Sequence, residues 1–171
     1  MKKYLVLYIQ IVCYTGLAAL FAFGSSTDFL LAFVGYFCFR AIGNDLIYHR
    51  LVCHRTYTAP TWVWVVGNII ATLGGQGSAI IWCSIHLQHH ANSDQAKDPH
   101  SPWTRSIWRV MFYPVNPYLD LKYSAPYMKN KMLIWFHRYY WHIHLIYAIL
   151  LFVVYPFGII SLYLAPMAIN Y

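Results

Sequence analysis

The sequence predicts an all-α integral membrane protein, a single domain over residues 1–171 with about four transmembrane helices. Two observations predict it. Sixty per cent of the residues (60%) are hydrophobic and only 10% are charged, whereas soluble domains average about a quarter charged. The apolar residues also gather in long runs, several near the ~20 residues that cross a hydrocarbon core of ~30 Å.

Tyr4 to Phe23 is the first run, preceded by Lys2 and Lys3. Its length, and a second run after a few polar residues, set it apart from a secretory signal. The second span, 29–48, turns polar near its end with Arg40, Asn44 and Asp45, and His49 follows it. Ionisable groups at that depth face the protein interior with a partner. Asp45, four residues before His49, either accepts the second imidazole N–H and fixes its tautomer or pairs with Arg40 and only relieves burial. Ala59 to Trp82 is long enough to span, but its interior GGQG, with Asn68 and Thr72, interrupts a continuous helix. If it spans, the histidines before and after it lie on opposite faces of the membrane. If they share a metal, it is an interfacial helix that lies along or dips into the cytoplasmic side. Residues 92–127 are polar and broken by Pro99, Pro102, Pro114, Pro117 and Pro126, so 49–138 reads as a cytoplasmic or interfacial region. Two further apolar runs, 139–155 and 157–171, form a third span and the start of a fourth, which is expected to be incomplete at Tyr171.

The formal charge of +7 is placed for a membrane and not for nucleic acid. Lys2, Lys3, Arg40, Arg50 and the basic residues from Arg55 to Arg138 leave the turn at 24–28 and the chain after 138 without Lys or Arg. That is the positive-inside pattern, which puts the N-terminus and the central region in the cytoplasm. Basic residues there suit anionic headgroups or an acidic partner. Cys13, Cys38, Cys53 and Cys83 form no CxxC, so neither a disulfide framework nor a zinc ribbon is indicated.

Histidine carries the chemistry. His86, His89 and His90 stand at i, i+3 and i+4, which on a helix project from one side. His49 and His54 lie upstream within reach of the same centre, so five imidazoles are expected to converge on iron, copper, zinc or nickel. Glutamate is absent and the five acids are all aspartates, which excludes a carboxylate-bridged di-iron bundle with Glu-x-x-His motifs. His137, His142 and His144 lie in an aromatic stretch, the last two facing different sides, and are not expected to bind metal.

YHRLVCHRTYTA and, about 30 residues on, HLQHHANSDQAKDPHSPW resemble the first and second histidine boxes of the membrane fatty acid desaturases, in the stearoyl-CoA type Δ9 branch, with a bacterial cast to DPHSPW and to the short N-terminus. FHRYYW, at the mouth of the third span, continues the likeness. The resemblance implies an O2-dependent fatty acyl desaturase acting on acyl-CoA or acyl-lipid, with two Fe in a non-haem centre at the cytoplasmic ends of its helices. Electrons would come from cytochrome b5, ferredoxin or a similar carrier, and a bacterial inner membrane is favoured over the endoplasmic reticulum. By position, His49, His54, His86, His89 and His90 match the metal ligands. Gln76 and Trp82 would line the substrate pocket, and Asp94, one turn past His90, joins Asp45 as a carboxylate supporting the ligands. Removing hydrogen from an unactivated methylene needs a redox-active metal, which excludes zinc.

The family also carries a third box, HNxHH, which this sequence lacks. The chain is therefore expected to be the N-terminal part of such an enzyme, with an incomplete site, binding fewer than two irons and inactive alone. A catalytically incomplete membrane fragment or half of a split enzyme is the alternative. A related fatty acyl or alkane hydroxylase follows, and then a haem or metal carrier, which would need histidines facing each other across a bundle.

Overall fold

The computed structural model describes residues 3–104, 106–112 and 119–171. Among them every regular element is helical: α1 (Lys3–Phe23), α2 (Ser26–Cys53), α3 (Thr61–Leu73), α4 (Ala79–Ala91), α5 (Ile107–Phe112), α6 (Lys131–Arg138), α7 (Tyr140–Val154) and α8 (Ile159–Asn170). Single turns at Leu121–Tyr123 and Tyr127–Lys129 link α5 to α6.

Two helices, α1 and α2, are long and apolar enough to cross a bilayer, while α3, α7 and α8 are shorter apolar helices of 13, 15 and 12 residues. The expected third and fourth spans are thus present as helices below spanning length. Pro156 and Gly158 separate them, with Gly158 N–H closing a turn on the Tyr155 carbonyl at 2.7 Å. The run at 157–171 is also mostly buried, with Ser161, Tyr163 and 165–168 turned inward. It packs on α1 and α2 instead of presenting an apolar face outward.

α2 begins earlier and ends later than its apolar run. Ser25 caps it, its hydroxyl accepting from Asp28 N–H while the Asp28 carboxylate accepts from Ser25 N–H, a reciprocal capping box. Beyond Tyr48 it continues because Leu51, Val52 and Cys53 are buried, in one cluster with Ala71 of α3 and Ala79, Ile80 and Cys83 of α4. From Cys38 the backbone is wound in the wider turn of i→i+5 hydrogen bonds. Arg55, at φ 51°, then reverses the chain in the left-handed region, and Thr56 N–H reaches the Arg50 carbonyl at 3.0 Å.

α2 and α3 pack at backbone distance. A Cβ on Gly43 would lie 2.8 Å from Ala71 Cα and 3.1 Å from Ala71 N, so this crossing needs a residue without a side chain. α3 and α4 form a broken helical hairpin. Each is 13 residues, about 20 Å long, too short to cross. They are joined by 74–78, where Gly75 (φ 79°) and Gly77 (φ 96°) supply the left-handed turns. Side chains from α2, α7 and the end of α8 hold that turn. Asn170 Nδ2 donates to the Gly74 carbonyl (2.8 Å), Tyr171 to the Gly75 carbonyl (3.0 Å) and Tyr48 to the Gly77 carbonyl (3.3 Å), while Gly77 N–H donates to the Tyr140 hydroxyl (3.2 Å). Asn44 of α2 donates to Asn170 Oδ1 (3.2 Å), which ties the long helix to the same point. The end of α2 and the end of α4 consequently lie side by side.

Candidate metal centre

Four histidines meet where those two ends adjoin. His49 comes from α2, His54 caps its end, and His86 and His90 come from α4, and one ring nitrogen from each lies within 4.8 Å of the others. His86 Nε2 is 3.1 Å from His54 Nε2 and 3.0 Å from His90 Nε2. Nitrogens bound to one ion at ~2.1 Å are themselves ~3–4 Å apart, so the spacing fits a single ion. His54 and His90 are exposed and His49 and His86 are half-buried, so the group opens to one side.

Each pair depends on a different backbone turn. His86 and His90 are one α-turn apart and share a face. His49 and His54 are five apart, which on an α-helix would put them ~140° apart. The i→i+5 bond from His54 N–H to the His49 carbonyl (2.9 Å) widens that turn and brings both rings to the same side, with centroids 4.7 Å apart.

The expected fifth histidine is not in the group. His89 lies ~100° around α4 from His90, and its Nδ1 meets Asp98 Oδ1 at 2.8 Å. Asp98 is fully buried and also accepts from Asp94 N–H and His100 N–H, each at 2.8 Å. Burial opposes its ionisation, but the hydrogen bonds from His89, His100 and Asp94 outweigh burial and hold its carboxyl below the ordinary range. The carboxylate that meets a histidine is thus Asp98. Asp94 lies one step behind it, at φ 59°, and accepts from Ser101 Oγ at 3.0 Å. Asp45 sits 4.0 Å from Arg40 Nε, both half exposed.

Trp82 stacks on His86, with centroids 4.8 Å apart and planes at 22°, and donates its indole N–H to Gln76 Oε1 at 3.1 Å. Gln76 Nε2 in turn donates to the Asn170 carbonyl. The two residues expected to line the substrate pocket are thus joined to each other and to the metal-side imidazole. His137 bonds Ser78 Oγ (2.7 Å), His144 is buried against the Tyr163 hydroxyl (2.5 Å), and His142 packs on the Tyr139 ring. None of the three reaches the group.

Asp98 and Gln88 are the residues that sequence reasoning missed. Gln88, on the opposite side of α4, donates to the Lys97 carbonyl and accepts from Asp120 N–H, both at 2.9 Å, clamping the loop that carries Asp98. The available signal was Asp98 followed by Pro99 and His100, a turn in which a carboxylate accepts the N–H two residues on.

Electrostatics prepare the group for a cation. Burial, then the neighbouring charges of His90, His49, His54 and His89, push the pKa of His86 down to about 3. Its imidazole is therefore neutral, as a ligand must be.

A model of the fatty acid desaturase family matches residues 6–171. The chain belongs to the fatty acid desaturase family, a family of oxidoreductases of lipid metabolism. It is 31% identical over 147 residues to the sn-2 palmitoyl-lipid 9-desaturase of Nostoc sp. (strain 36), covering 79% of this chain and 50% of the relative. It is 35% identical over 108 residues to the sn-1 stearoyl-lipid 9-desaturase of Anabaena variabilis, covering 57% and 39%. A hex-5-enoyl-[acyl-carrier protein] acetylenase of Moorena producens (strain JHB) is 31% identical over 88 residues, covering 52% and 27%. The chain spans half the length, or less, of these relatives. No solved structure matches it.

Proposed function

We propose that this chain supplies the first two histidine boxes of an O2-dependent acyl desaturase that acts at the 9 position of membrane glycerolipid acyl chains. The observation that carries the reading is the convergence of His49, His54, His86 and His90 from two helix ends, in a member of this family. The donor set fits iron. Four imidazoles without thiolate or carboxylate suit Fe, Cu, Zn or Ni and not Ca or Mg, and of these the chemistry of the family needs a redox-active ion. The glycerolipid substrate and the 9 position rest on the lipid 9-desaturases among the relatives.

When bound, iron would supply the oxidising chemistry. The chain's own residues position it and shield it. His49, His54, His86 and His90 would hold one ion. His89 is proposed as a ligand of a second iron through Nε2, because its Nδ1 is committed to Asp98, the arrangement in which a carboxylate fixes the tautomer and raises ligand basicity. Trp82, stacked on His86 and fixed by Gln76, would form an apolar wall for the acyl chain. A cytoplasmic site, an inner bacterial membrane and an external carrier such as ferredoxin or cytochrome b5 complete the proposal. A hydroxylase shares this ligand chemistry and differs in the product.

The test is expression of the complete reading frame containing this chain, with product analysis of an isotope-labelled saturated acyl chain and iron determination on the purified protein. His86→Ala should abolish the double bond and lower bound iron, and His142→Ala should do neither. A hydroxylated product, or iron retained in full by His86→Ala, would overturn the reading.

A further inference from the structure

α6 has two unlike faces. Leu133 and Phe136 are buried, and His137 reaches back to Ser78. The other face carries Lys131, Ile134, Trp135 and Arg138, at i, i+3, i+4 and i+7, and Tyr139 follows. These five residues line an open cleft of about 180 Å³. Lys131 and Arg138 form no ion pair among the described residues, where the ion pairs are Arg40 with Asp45, His89 with Asp98 and Lys122 with Asp120. The cleft is thus cationic without an internal counter-charge. Its floor is aromatic, with Trp135 half exposed and 5.0 Å from Tyr139, ring centre to ring centre.

The cleft continues into an apolar stripe. Tyr139 also packs on His142 of α7, with centroids 5.4 Å apart. From His142 the same face of the helix runs through Ile146, Ile149 and Val153, which are 58%, 53% and 74% exposed. A cationic cleft, an aromatic pair and an exposed apolar row therefore follow one another along the chain. A bilayer presents the same order, phosphate, glycerol and acyl chain. A soluble acidic protein would match the charge but would leave the apolar row uncovered.

We propose that this surface binds the headgroup of an anionic phospholipid, its phosphate between Lys131 and Arg138 and its acyl chains along α7. The site is separate from the histidine group, with which it shares no residue. It rests on the membrane reading above, and the zwitterionic arm of the test reports that reading independently.

The purified chain would be reconstituted into lipid nanodiscs, and its tryptophan fluorescence followed with bromine-labelled phosphatidylglycerol or bromine-labelled phosphatidylcholine. Quenching by both establishes insertion, and stronger quenching by phosphatidylglycerol is expected for the site. Lys131→Ala with Arg138→Ala should weaken the phosphatidylglycerol preference about thirtyfold, each charge near the surface being worth about fivefold. Lys131→Arg with Arg138→Lys should preserve it, which guards against misfolding as the cause. Lys122→Ala with Lys129→Ala should also leave it intact. Equal quenching by the two lipids would overturn the proposal. So would an equal loss in the Lys122/Lys129 variant, which would mean diffuse surface charge, or tight binding of soluble glycerol phosphate, which would assign the cleft to a small metabolite.

Discussion

Gly43→Ala tests how the two helix ends are held together. The new Cβ would lie 2.8 Å from Ala71 Cα and 3.1 Å from Ala71 N, with Ala71 Cβ at 3.4 Å. Ordinary contacts between carbons are about 3.5–4.0 Å, so α3 must withdraw by roughly 1 Å. The atoms in the way are backbone, and no rotamer change removes them. Overpacking of this kind costs about 1–3 kcal/mol, which for a chain of this length is a fall in Tm of about 2–12 °C. Because α3 leads through the glycine turn to α4, the shift should also separate His86 from His54 and weaken metal binding. The assay is thermal unfolding of the detergent-solubilised protein with and without added Fe(II). The second variant decides the cause. Ala71→Gly deletes only the Cβ, so the double variant should recover little stability. Full recovery, or an unchanged Tm for Gly43→Ala alone, would refute the backbone-contact argument.

Three further outcomes are expected. Cysteines placed one at a time at positions 50–57 and 92–100 should react with a membrane-impermeant thiol reagent from the same side, since His49 and His54 meet His86 and His90 in one group; labelling from opposite sides would mean the segment between them spans. Asp98→Asn leaves at most two of the three accepted bonds, both to a neutral oxygen, and turns an amide N–H2 toward the Asp94 N–H, so it should cost about 2–3 kcal/mol and lower metal affinity about 10–100-fold, as read by iron titration. The Asp98 carboxyl is held below its ordinary range, so its stabilisation is complete above the unfolded value of ~3.9 and lost as pH falls through the lower folded value. Proteolysis within 92–101 should accelerate only in that acid window, and Asp98→Asn should abolish the acceleration.

Much of this was legible in the residues. Apolar runs located α1, α2, α7 and α8, and the glycines broke the segment 59–82 where the structure breaks it. Hydropathy set the start of α2 too late, because the turn that begins it, capped by Ser25 and Asp28, is polar. What stayed hidden depends on partners. α2 runs on to Cys53 because Leu51 and Val52 are covered by other helices, which no local propensity records. α8 is equally apolar whether it faces lipid or protein, so its burial between α1 and α2 could not be read. A spacing of i, i+3, i+4 placed three histidines on one side of α4, but a side covers ~100°, and one ion cannot collect nitrogens across that arc when Asp98 claims His89 at its edge. That claim comes from a loop nine residues on.

The unequal spacing of the two ligand pairs has a consequence for how such centres arise. Four residues separate the pair on α4 and five the pair on α2, so the two rows of nitrogens run side by side only because the two helices are wound with different pitch. One residue inserted in an α-helix supplies that extra step, and the backbone absorbs it as a wider turn. A helix with histidines five apart near its end thus carries, in its spacing alone, a signature of local winding. A spacing of four between His49 and His54 would put both rings on one face of an ordinarily wound helix, as His86 and His90 are on α4; with five, the wider turn is what keeps them together.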